Sequence, residues 1–190
     1  MSDWIMTATG RQFFPLAPRA EDVCIEDIAH ALGAVNRFNG HTRRPYSVAQ
    51  HSVLVSRHLD VDGALMALVG LLHDASEAYL GDVPRPLKQT AAFAPYREAE
   101  DRLQTLIYQV FGLDLVVRHP EVLPRLKHVD RRMLRTEQAA LMPPAAHGED
   151  RTDLLPFRIV ITPWTPRAAA AHFLDRFYDL RANSWTRRPA

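Results

Sequence analysis

The stretch LVGLLHDASEAYLGD, residues 68–82, decides how the fold is interpreted. It begins as an apolar run and ends in His73 and Asp74, with Glu77 one helical turn later. Residues 64–72 are apolar on every face, which is typical of a helix that is buried on all sides. A buried carboxylate is very unfavourable unless it is paired, hydrogen-bonded or bound to a metal. The sequence therefore predicts a central helix that ends in a polar site.

The composition of the 190-residue chain is that of one average globular domain. A net charge of +1 gives no reason to expect a nucleic-acid polymer or a membrane surface as a partner. The single cysteine, Cys24, cannot form an internal disulfide, which favours a reducing compartment. Residues 1–10 lack the features of a signal peptide, and residues 64–72 are too few to span a bilayer. We expect a cytoplasmic protein with a single domain over residues 1–190.

Hydrophobic periodicity and turn residues predict a mainly all-α fold, a bundle of about six helices with a small β-appendage. A β-hairpin is expected over residues 4–16, with a strand over residues 157–161 packed beside it. Residues 81–88 contain two prolines and a glycine and are expected to form a loop, and residues 144–153 are expected to be the least ordered. The predicted helices run from Ile25 to near Gly40, from Ser47 to about Leu59, from Asp60 or Asp62 to about Leu80, from Pro95 to Gly112, from Pro120 to before Pro143, and onward from Thr165.

Two more ionisable residues, His51 and Asp130, are predicted to face the core from other helices. His51 follows Val48 by three positions and Asp130 follows Leu126 by four, so each shares the apolar stripe of its helix. One divalent cation would satisfy these groups together with the histidine and the aspartate that end the central helix. Two imidazoles and two carboxylates suit one divalent transition metal, namely Mn, Fe, Co, Ni or Zn. The expected metal ligands are His51, His73, Asp74 and Asp130.

Two further carboxylates are candidates for proton transfer. Glu77 follows His73 by four positions, on the same helix face, and is predicted to orient or deprotonate a water on the metal. Asp82 lies past the helix end, in a loop that is expected to line the opening of the site. A metal lowers the pKa of its bound water from about 16 toward about 7, and the resulting hydroxide is what hydrolysis of a phosphoester requires.

These residues, in this order, resemble the HD-domain phosphohydrolase superfamily, whose signature is His … His-Asp … Asp. In this chain the signature reads VAQHS with His51, LLHDASE with His73 and Asp74, and HVDRR with Asp130. The resemblance implies an HD-domain helical bundle that hydrolyses phosphoesters with the help of a metal. Members of the superfamily with a second metal use additional histidines, and no inward-facing candidates for these are found, so one metal is expected.

The closer likeness is to the small bacterial 5′-deoxynucleotidase branch, and it covers about residues 24–141. This branch shares HDxSE followed by a GDxPxPxK-like loop, here GDVPRPLK at residues 81–88, and it carries an Arg-aromatic pair, here Arg37 and Phe38. Phe38 stands where the branch has Trp, which leaves sugar selectivity open. The flanking segments look like a phage- and bacteria-associated sub-branch, and they are expected to pack on the core.

The resemblance implies a nucleotide substrate and assigns roles to named residues. Glu77 and Asp82 would be catalytic, with Asp82 assisting the leaving group or holding the sugar. Arg37 and Lys88 would meet the phosphate, and Phe38 would pack on sugar or base. The expected reaction is release of phosphate from a (deoxy)nucleoside monophosphate by a 5′-nucleotidase, and a homodimer is implied. Release of tripolyphosphate from a deoxynucleoside triphosphate, or nucleotide binding without catalysis, are the alternatives.

The remaining histidines serve as internal controls for the ligand assignment. His58 lies further along the same helix as His51 and is the one rival ligand. His30, His128 and His172 lie off the apolar stripes of their helices and are expected to be solvated.

Overall fold

The computed structural model describes residues 3–144 and 154–185. This part of the chain is mainly helical with a small two-stranded antiparallel sheet, as predicted. The segment 144–153, predicted to be the least ordered, lies outside the described residues apart from Pro144. The elements are β1 (Ile5–Met6), β2 (Gln12–Phe13), α1 (Ile25–Ala34), α2 (Val48–His58), α3 (Ala64–Leu72), α4 (Glu77–Leu80), α5 (Arg85–Lys88), α6 (Ala94–Val110), α7 (Asp114–Val117), α8 (Val122–Leu141) and α9 (Pro166–Trp185).

The core forms where α1, α2, α3 and α9 pack on one another. Residues 66–72 of α3 are all buried, as predicted for the central helix, whereas Leu65 in its first turn is 45% exposed. The hydroxyl of Ser56 on α2 donates to the carbonyl of Ala67 on α3 over 2.7 Å, which ties the two helices together. Helix α9 contributes three buried apolar side chains to the core: Phe173, Phe177 and Leu180.

The prediction of an N-terminal hairpin is confirmed, and the hairpin packs against α4. Strand β1 pairs with β2 so that Ile5 lies opposite Phe13. The buried Phe13 ring stacks on Tyr79 of α4 with 3.8 Å between ring centroids. The backbone N–H of Thr9, in the turn, donates to Asp27 of α1 over 2.7 Å. The hairpin is therefore packed on the core beside the short helix that carries Glu77.

Helix α1 ends earlier than predicted. It stops at Ala34 instead of near Gly40, because Val35 takes an extended conformation and its carbonyl accepts from the N–H of Val48. Asn36 then forms a bridge with Ser47. These contacts turn the chain away from the helix axis and place the next residues beside α2.

The central helix also differs from the prediction at both ends. Gly63, at φ 98°, precedes its first residue as the N-cap, and neither Asp60 nor Asp62 caps it. Their carboxylates instead pair with Arg176 and Arg125. At its other end α3 stops at Leu72, and a turn separates it from α4, so the predicted continuous helix to Leu80 is wrong.

The predicted strand at residues 157–161 is wrong, because this segment is irregular, with a bend at Arg158, and among the described residues it pairs with neither strand of the hairpin. Its Phe157 contacts α8 and α2 instead. The N–H of Phe157 donates to the Thr136 hydroxyl over 2.9 Å, and its ring lies 3.8 Å from the ring of His58. Side chains of the helices thus satisfy backbone groups that a sheet would otherwise satisfy.

The side chain of Gln50 binds the segment that leads into α9. Ser47 and Gln50 have the spacing of a capping box, and Ser47 caps α2, since its hydroxyl accepts from the N–H of Gln50 over 3.2 Å. The reciprocal half of the capping box does not form, because the Gln50 amide donates to the Thr162 carbonyl over 2.9 Å and accepts from the N–H of Trp164 over 2.8 Å. One amide therefore fixes the approach to α9.

The GDVPRPLK segment is not entirely a loop as predicted, because residues 85–88 form the single turn α5. Pro86 falls within the first turn of this helix, where its missing N–H has no partner to lose. In the ranges 3–144 and 154–185 no helix has both the length and the apolar character that a membrane crossing requires.

Candidate metal centre

Three predicted ligands from three helical elements converge at one end of the bundle. His51 projects from α2, His73 follows the last residue of α3, and Asp130 lies in the third turn of α8. The Nε2 atom of His51 lies 3.3 Å from Nε2 of His73 and 3.1 Å from Oδ1 of Asp130. Their donor atoms all lie within 4.8 Å of one another, so this cluster could hold a metal ion.

Asp74, the fourth predicted ligand, borders the same cluster. Its Oδ2 atom lies 3.2 Å from Nε2 of His73 and 3.7 Å from Nε2 of His51. The same oxygen lies 3.5 Å from Nη1 of Arg37. The structure thus brings His51, His73 and Asp130 together as one cluster, while Asp74 lies at its border, shared between the imidazoles and a guanidinium.

Both imidazoles are held in the tautomer that a metal requires. The Nδ1–H of His73 donates to the Gly70 carbonyl over 2.8 Å, and the Nδ1–H of His51 donates to Oε1 of Glu137 over 2.6 Å. In a neutral imidazole this leaves the Nε2 lone pair free, and both Nε2 atoms face the cluster. Such a second hydrogen bond is the usual way in which proteins orient metal-binding histidines.

Glu137 is the residue of this site that the sequence interpretation missed. It is fully buried and also accepts a hydrogen bond from the Tyr46 hydroxyl over 2.8 Å and one from Nε of Arg37 over 3.1 Å. The available signal was its position seven residues after Asp130, two helical turns along the same face of α8. A carboxylate at that position shares the inward stripe with Asp130.

A divalent transition ion fits this donor set. Ligand atoms about 2.1 Å from one ion lie roughly 3–4 Å from each other. The donor atoms of His51, His73 and Asp130 lie 3.1–3.8 Å from each other, within that range. With neutral imidazoles, the carboxylates of Asp74, Asp130 and Glu137 carry three negative charges against the one positive charge of Arg37. The resulting excess of two negative charges equals the charge that a divalent cation would offset.

The pKa values of the cluster show how strongly its members depend on one another. Burial lowers the pKa of His73, but the carboxylates of Asp74 and Asp130 outweigh burial and raise it well above its usual value. Burial raises the pKa of Asp130, but hydrogen bonds to both histidines lower it by more. The pKa of Asp74 is likewise lowered, with His73 opposing burial. Without a cation, protons on the imidazoles take over the role of counter-charge.

Glu77 lies beside the cluster as a buried carboxyl group whose Oε2 atom has no hydrogen-bond partner among the described residues. Burial, followed by the charges of Asp74 and Asp82, raises the pKa of Glu77 to about 9. Lys88 opposes this shift, and its Nζ atom lies 3.5 Å from Oε1 of Glu77. A cation at the neighbouring cluster would lower the pKa of Glu77 in the same direction as Lys88 does.

Asp82 and Lys88 line the same side of the site. Burial and the charge of Asp74 raise the pKa of the half-buried Asp82, while Arg37 and Lys88 lower it. The Nζ atom of Lys88 donates to Oε1 of Glu100 over 2.5 Å, so this predicted phosphate-binding group already has an ion-pair partner. Any contact between Lys88 and a phosphate would compete with that pair.

The predicted Arg-aromatic pair lies in a strained turn. Phe38 and Asn39 both have left-handed backbone angles, at φ 55° and φ 49°, each of which costs on the order of 1 kcal/mol for a residue other than glycine. The guanidinium carbon of Arg37 lies 5.6 Å from the centre of the Phe38 ring. This conformation places the half-buried Phe38 ring next to the arginine that borders Asp74.

The other histidines behave as controls. His58, the rival ligand, does not join the cluster, because its Nδ1–H donates to the Leu54 carbonyl over 2.9 Å and its ring packs on Phe157. His30, His128 and His172 are exposed, as predicted. The periodicity of the helices therefore separated inward-facing from outward-facing histidines correctly.

Bacterial relatives resemble the chain over most of its length. It is 34% identical over 183 residues to the uncharacterized protein YfdR of Escherichia coli (strain K12), and the match covers 93% of this chain and 95% of that protein. The chain belongs to the YfdR family. The uncharacterized protein RCAP_rcc00048 of Rhodobacter capsulatus is 42% identical to it over 123 residues, 62% of each chain. No protein-family model matches. Because neither relative has a named activity, the function of this YfdR-family chain has to be inferred from the site.

Proposed function

We propose that this YfdR-family chain is an HD-type, divalent-metal-dependent phosphohydrolase that releases phosphate from a (deoxy)nucleoside monophosphate. The observation that carries the proposal is the convergence of His51, His73 and Asp130, with both Nε2 atoms facing one point. A buried carboxyl group, Glu77, and a guanidinium, Arg37, border that point. A cation site beside one proton-transfer group and one anion-binding group suits hydrolysis of a phosphoester.

In this proposal His51, His73, Asp74 and Asp130 hold one divalent ion, which is Mn, Fe, Co, Ni or Zn. The bound ion would act as a Lewis acid toward a phosphoryl oxygen and would make a coordinated water more acidic. The two histidines are pre-oriented by Gly70 and Glu137, so little reorganisation accompanies metal uptake.

Glu77 is proposed to handle the proton of the attacking water. Its Oε2 atom is buried and has no other partner among the described residues, so it is available as an acceptor once the carboxyl group is ionised. Its raised pKa suits a group that takes up a proton near neutral pH. Asp82, whose pKa is also raised, is proposed to assist the leaving group or to hold the sugar.

Arg37 and Lys88 are proposed to meet the phosphate, and Phe38 to pack against sugar or base. The Nε atom of Arg37 is bound to Glu137, which leaves part of its Nη edge near Asp74 for an anion. Lys88 would have to leave Glu100 in order to reach a phosphate, so its contribution depends on substrate binding. The partner is a nucleotide and not a nucleic-acid polymer or a membrane, and the chain is proposed to act as a cytoplasmic homodimer.

The test begins with metal-stripped protein. Mn, Co, Ni, Fe or Zn is added singly, and phosphate release is measured across a panel of ribo- and deoxyribonucleoside monophosphates, with metal content determined in parallel. We expect a metal-dependent release of inorganic phosphate. No release with any of the five metals, from protein that has taken up the metal, would refute the proposal.

Product analysis separates this reaction from its alternatives. Chromatography of reactions with deoxynucleoside triphosphates would reveal tripolyphosphate if the chain were a triphosphohydrolase. A non-catalytic nucleotide-binding module would bind nucleotide and give neither product. A Glu77→Gln variant that keeps nucleotide binding but loses turnover would favour the enzyme over the module.

A further inference from the structure

We infer that Glu137 is a positioning residue, which sets the tautomer of His51 and the orientation of Arg37 at the same time. The inference rests on the proposed function, in which His51 binds the metal and Arg37 meets the phosphate. It assigns to one buried side chain the task of holding a metal-binding group and an anion-binding group in a fixed relation.

The first observation is that Glu137 receives donors from three separate parts of the chain. Its Oε1 atom accepts from Nδ1–H of His51 over 2.6 Å and from the hydroxyl of Tyr46 over 2.8 Å. Its Oε2 atom accepts from Nε–H of Arg37 over 3.1 Å. The side chain is fully buried, so water cannot replace any of these partners at low cost.

The second observation is that the other partners of Glu137 approach it as donors. The guanidinium of Arg37 can only donate, and its Nε atom lies 3.1 Å from Oε2, while the Tyr46 hydroxyl donates to Oε1 over 2.8 Å. A carboxylate paired with a guanidinium in this way acts as a hydrogen-bond acceptor. His51, whose Nδ1 atom lies 2.6 Å from Oε1, therefore presents Nδ1–H to Glu137.

For His51 the consequence is chemical. If the partner of Nδ1 donated a hydrogen bond, Nδ1 would have to accept it, and the proton of the neutral ring would move to Nε2. Nε2 is the atom that lies 3.1 Å from Asp130 and 3.3 Å from His73. A proton at this position would block the lone pair that faces the cluster and would weaken metal binding.

For Arg37 the consequence is geometric. With Nε held by Glu137, the guanidinium plane is fixed and Nη1 lies 3.5 Å from Oδ2 of Asp74. The rigid fork of donors of an arginine recognises an anion best when its plane is fixed in advance. Because both contacts share one carboxylate, a change at Glu137 disturbs the metal site and the anion site together.

Glu137→Gln tests this with almost no change of shape. The amide can donate to Nδ1 of His51 and so favours the wrong tautomer. Affinity for Co²⁺ is measured by competition with a chelator, together with the melting temperature. We expect about a 10–100-fold loss of Co²⁺ affinity, the usual effect of altering the partner of a metal-binding histidine. The matched control is Thr136→Val, which removes a buried hydroxyl from the adjacent position of α8 and should leave Co²⁺ affinity unchanged.

Glu137→Asp keeps the charge but is one methylene shorter, so it cannot reach His51 and Arg37 at once. Its Co²⁺ affinity should lie between those of the wild type and Glu137→Gln, and it serves as the decisive variant if the glutamine variant does not fold. A folded Glu137 variant that binds Co²⁺ as tightly as the wild type would overturn the inference. So would an equal loss of affinity in Thr136→Val, because the effect would then be one of general stability.

The result can be separated from a failure of the proposed function. Wild-type protein that binds Co²⁺ but releases no phosphate from any nucleotide would refute the phosphohydrolase and leave the positioning role standing, provided that Glu137→Gln weakens Co²⁺ binding. Wild-type protein that takes up no Co²⁺ would refute both.

Discussion

The candidate metal-site end of the bundle and the seam between α1 and α9 both lie against the core, but they are built from opposite chemistry. At the first, His51, Asp130 and Glu137 share their charges and protons within a few ångströms. At the second, Gly33 of α1 meets the backbone of α9, and the buried Phe173 packs nearby in the core. Buried charges contribute little net stability, because their desolvation offsets their attraction, whereas apolar packing stabilises directly. Function and stability should therefore separate when the two regions are altered.

The largest effect is expected at the metal site. His51→Ala removes one of three converging donors and leaves Asp130 and Glu137 without their partner. We expect loss of metal uptake and a fall of phosphate release to the background of the uncatalysed assay. Metal content after dialysis and a phosphate assay measure the two. His58→Ala, on the same helix but outside the cluster, is the control and should keep its metal. Metal retention by His51→Ala would contradict the site.

The next largest effect is a loss of stability, expected on the side of the α1–α9 seam. Phe173 is fully buried, and Phe173→Ala should lower the free energy of unfolding by about 3–5 kcal/mol. Urea unfolding measures the loss, and activity per folded molecule should be unchanged. Tyr178→Phe, which removes only the exposed hydroxyl that donates to Glu26, should cost less than about 1 kcal/mol. A fall in specific activity of folded Phe173→Ala would show that the two regions are coupled.

A site residue that can be altered without a loss of stability would sharpen the comparison. Glu77→Gln keeps the shape of the side chain and removes a carboxyl group whose Oε2 atom has no partner among the described residues. We expect phosphate release to fall about 100-fold, in line with the contribution of a proton-transfer group. Metal content and melting temperature should stay at wild-type values. Glu98→Gln, an exposed change on α6, is the control, and equal activities of the two variants would remove Glu77 from the mechanism.

The smallest effect is expected at Gly33. Replacing a helical glycine by alanine usually stabilises a protein, but here we expect it to destabilise. Gly33→Ala would ordinarily stabilise a helix by up to about 1 kcal/mol. Here the new Cβ would lie 2.7 Å from the Pro166 carbonyl oxygen and 3.2 Å from Cβ of Ala170. We expect a net loss of about 1–3 kcal/mol in urea unfolding, because a backbone atom cannot move aside cheaply. Gly70→Ala, whose closest contact is the side-chain end of Leu59, should cost less. A stabilised Gly33→Ala would mean that the seam is loosely packed.

Several features were predictable from the sequence because they depend on local periodicity. The stripe of α2 placed His51 inward and the stripe of α8 placed Asp130 beside it, since residues three or four apart share a helix face. The same reasoning set the outward-facing histidines aside. The hairpin followed from two short apolar stretches around a turn with Gly10, whose φ of 81° the turn requires. The role of these residues in metal binding and catalysis stays a prediction.

Other features were decided only by contacts between residues far apart in the chain. Residues 157–161, FRIVI, have the composition of a strand. The backbone N–H of Phe157 nevertheless donates to the hydroxyl of Thr136, and its ring packs on that of His58. In the sequence, Glu137 is not distinguished from other acidic residues on helices. Its role depends on hydrogen bonds from Tyr46 and Arg37, which lie 91 and 100 positions away in the chain. Periodicity determines which face of a helix a side chain occupies. Which donor meets that face depends on how the helices pack, because a buried polar group must find its partner wherever the fold brings one within reach.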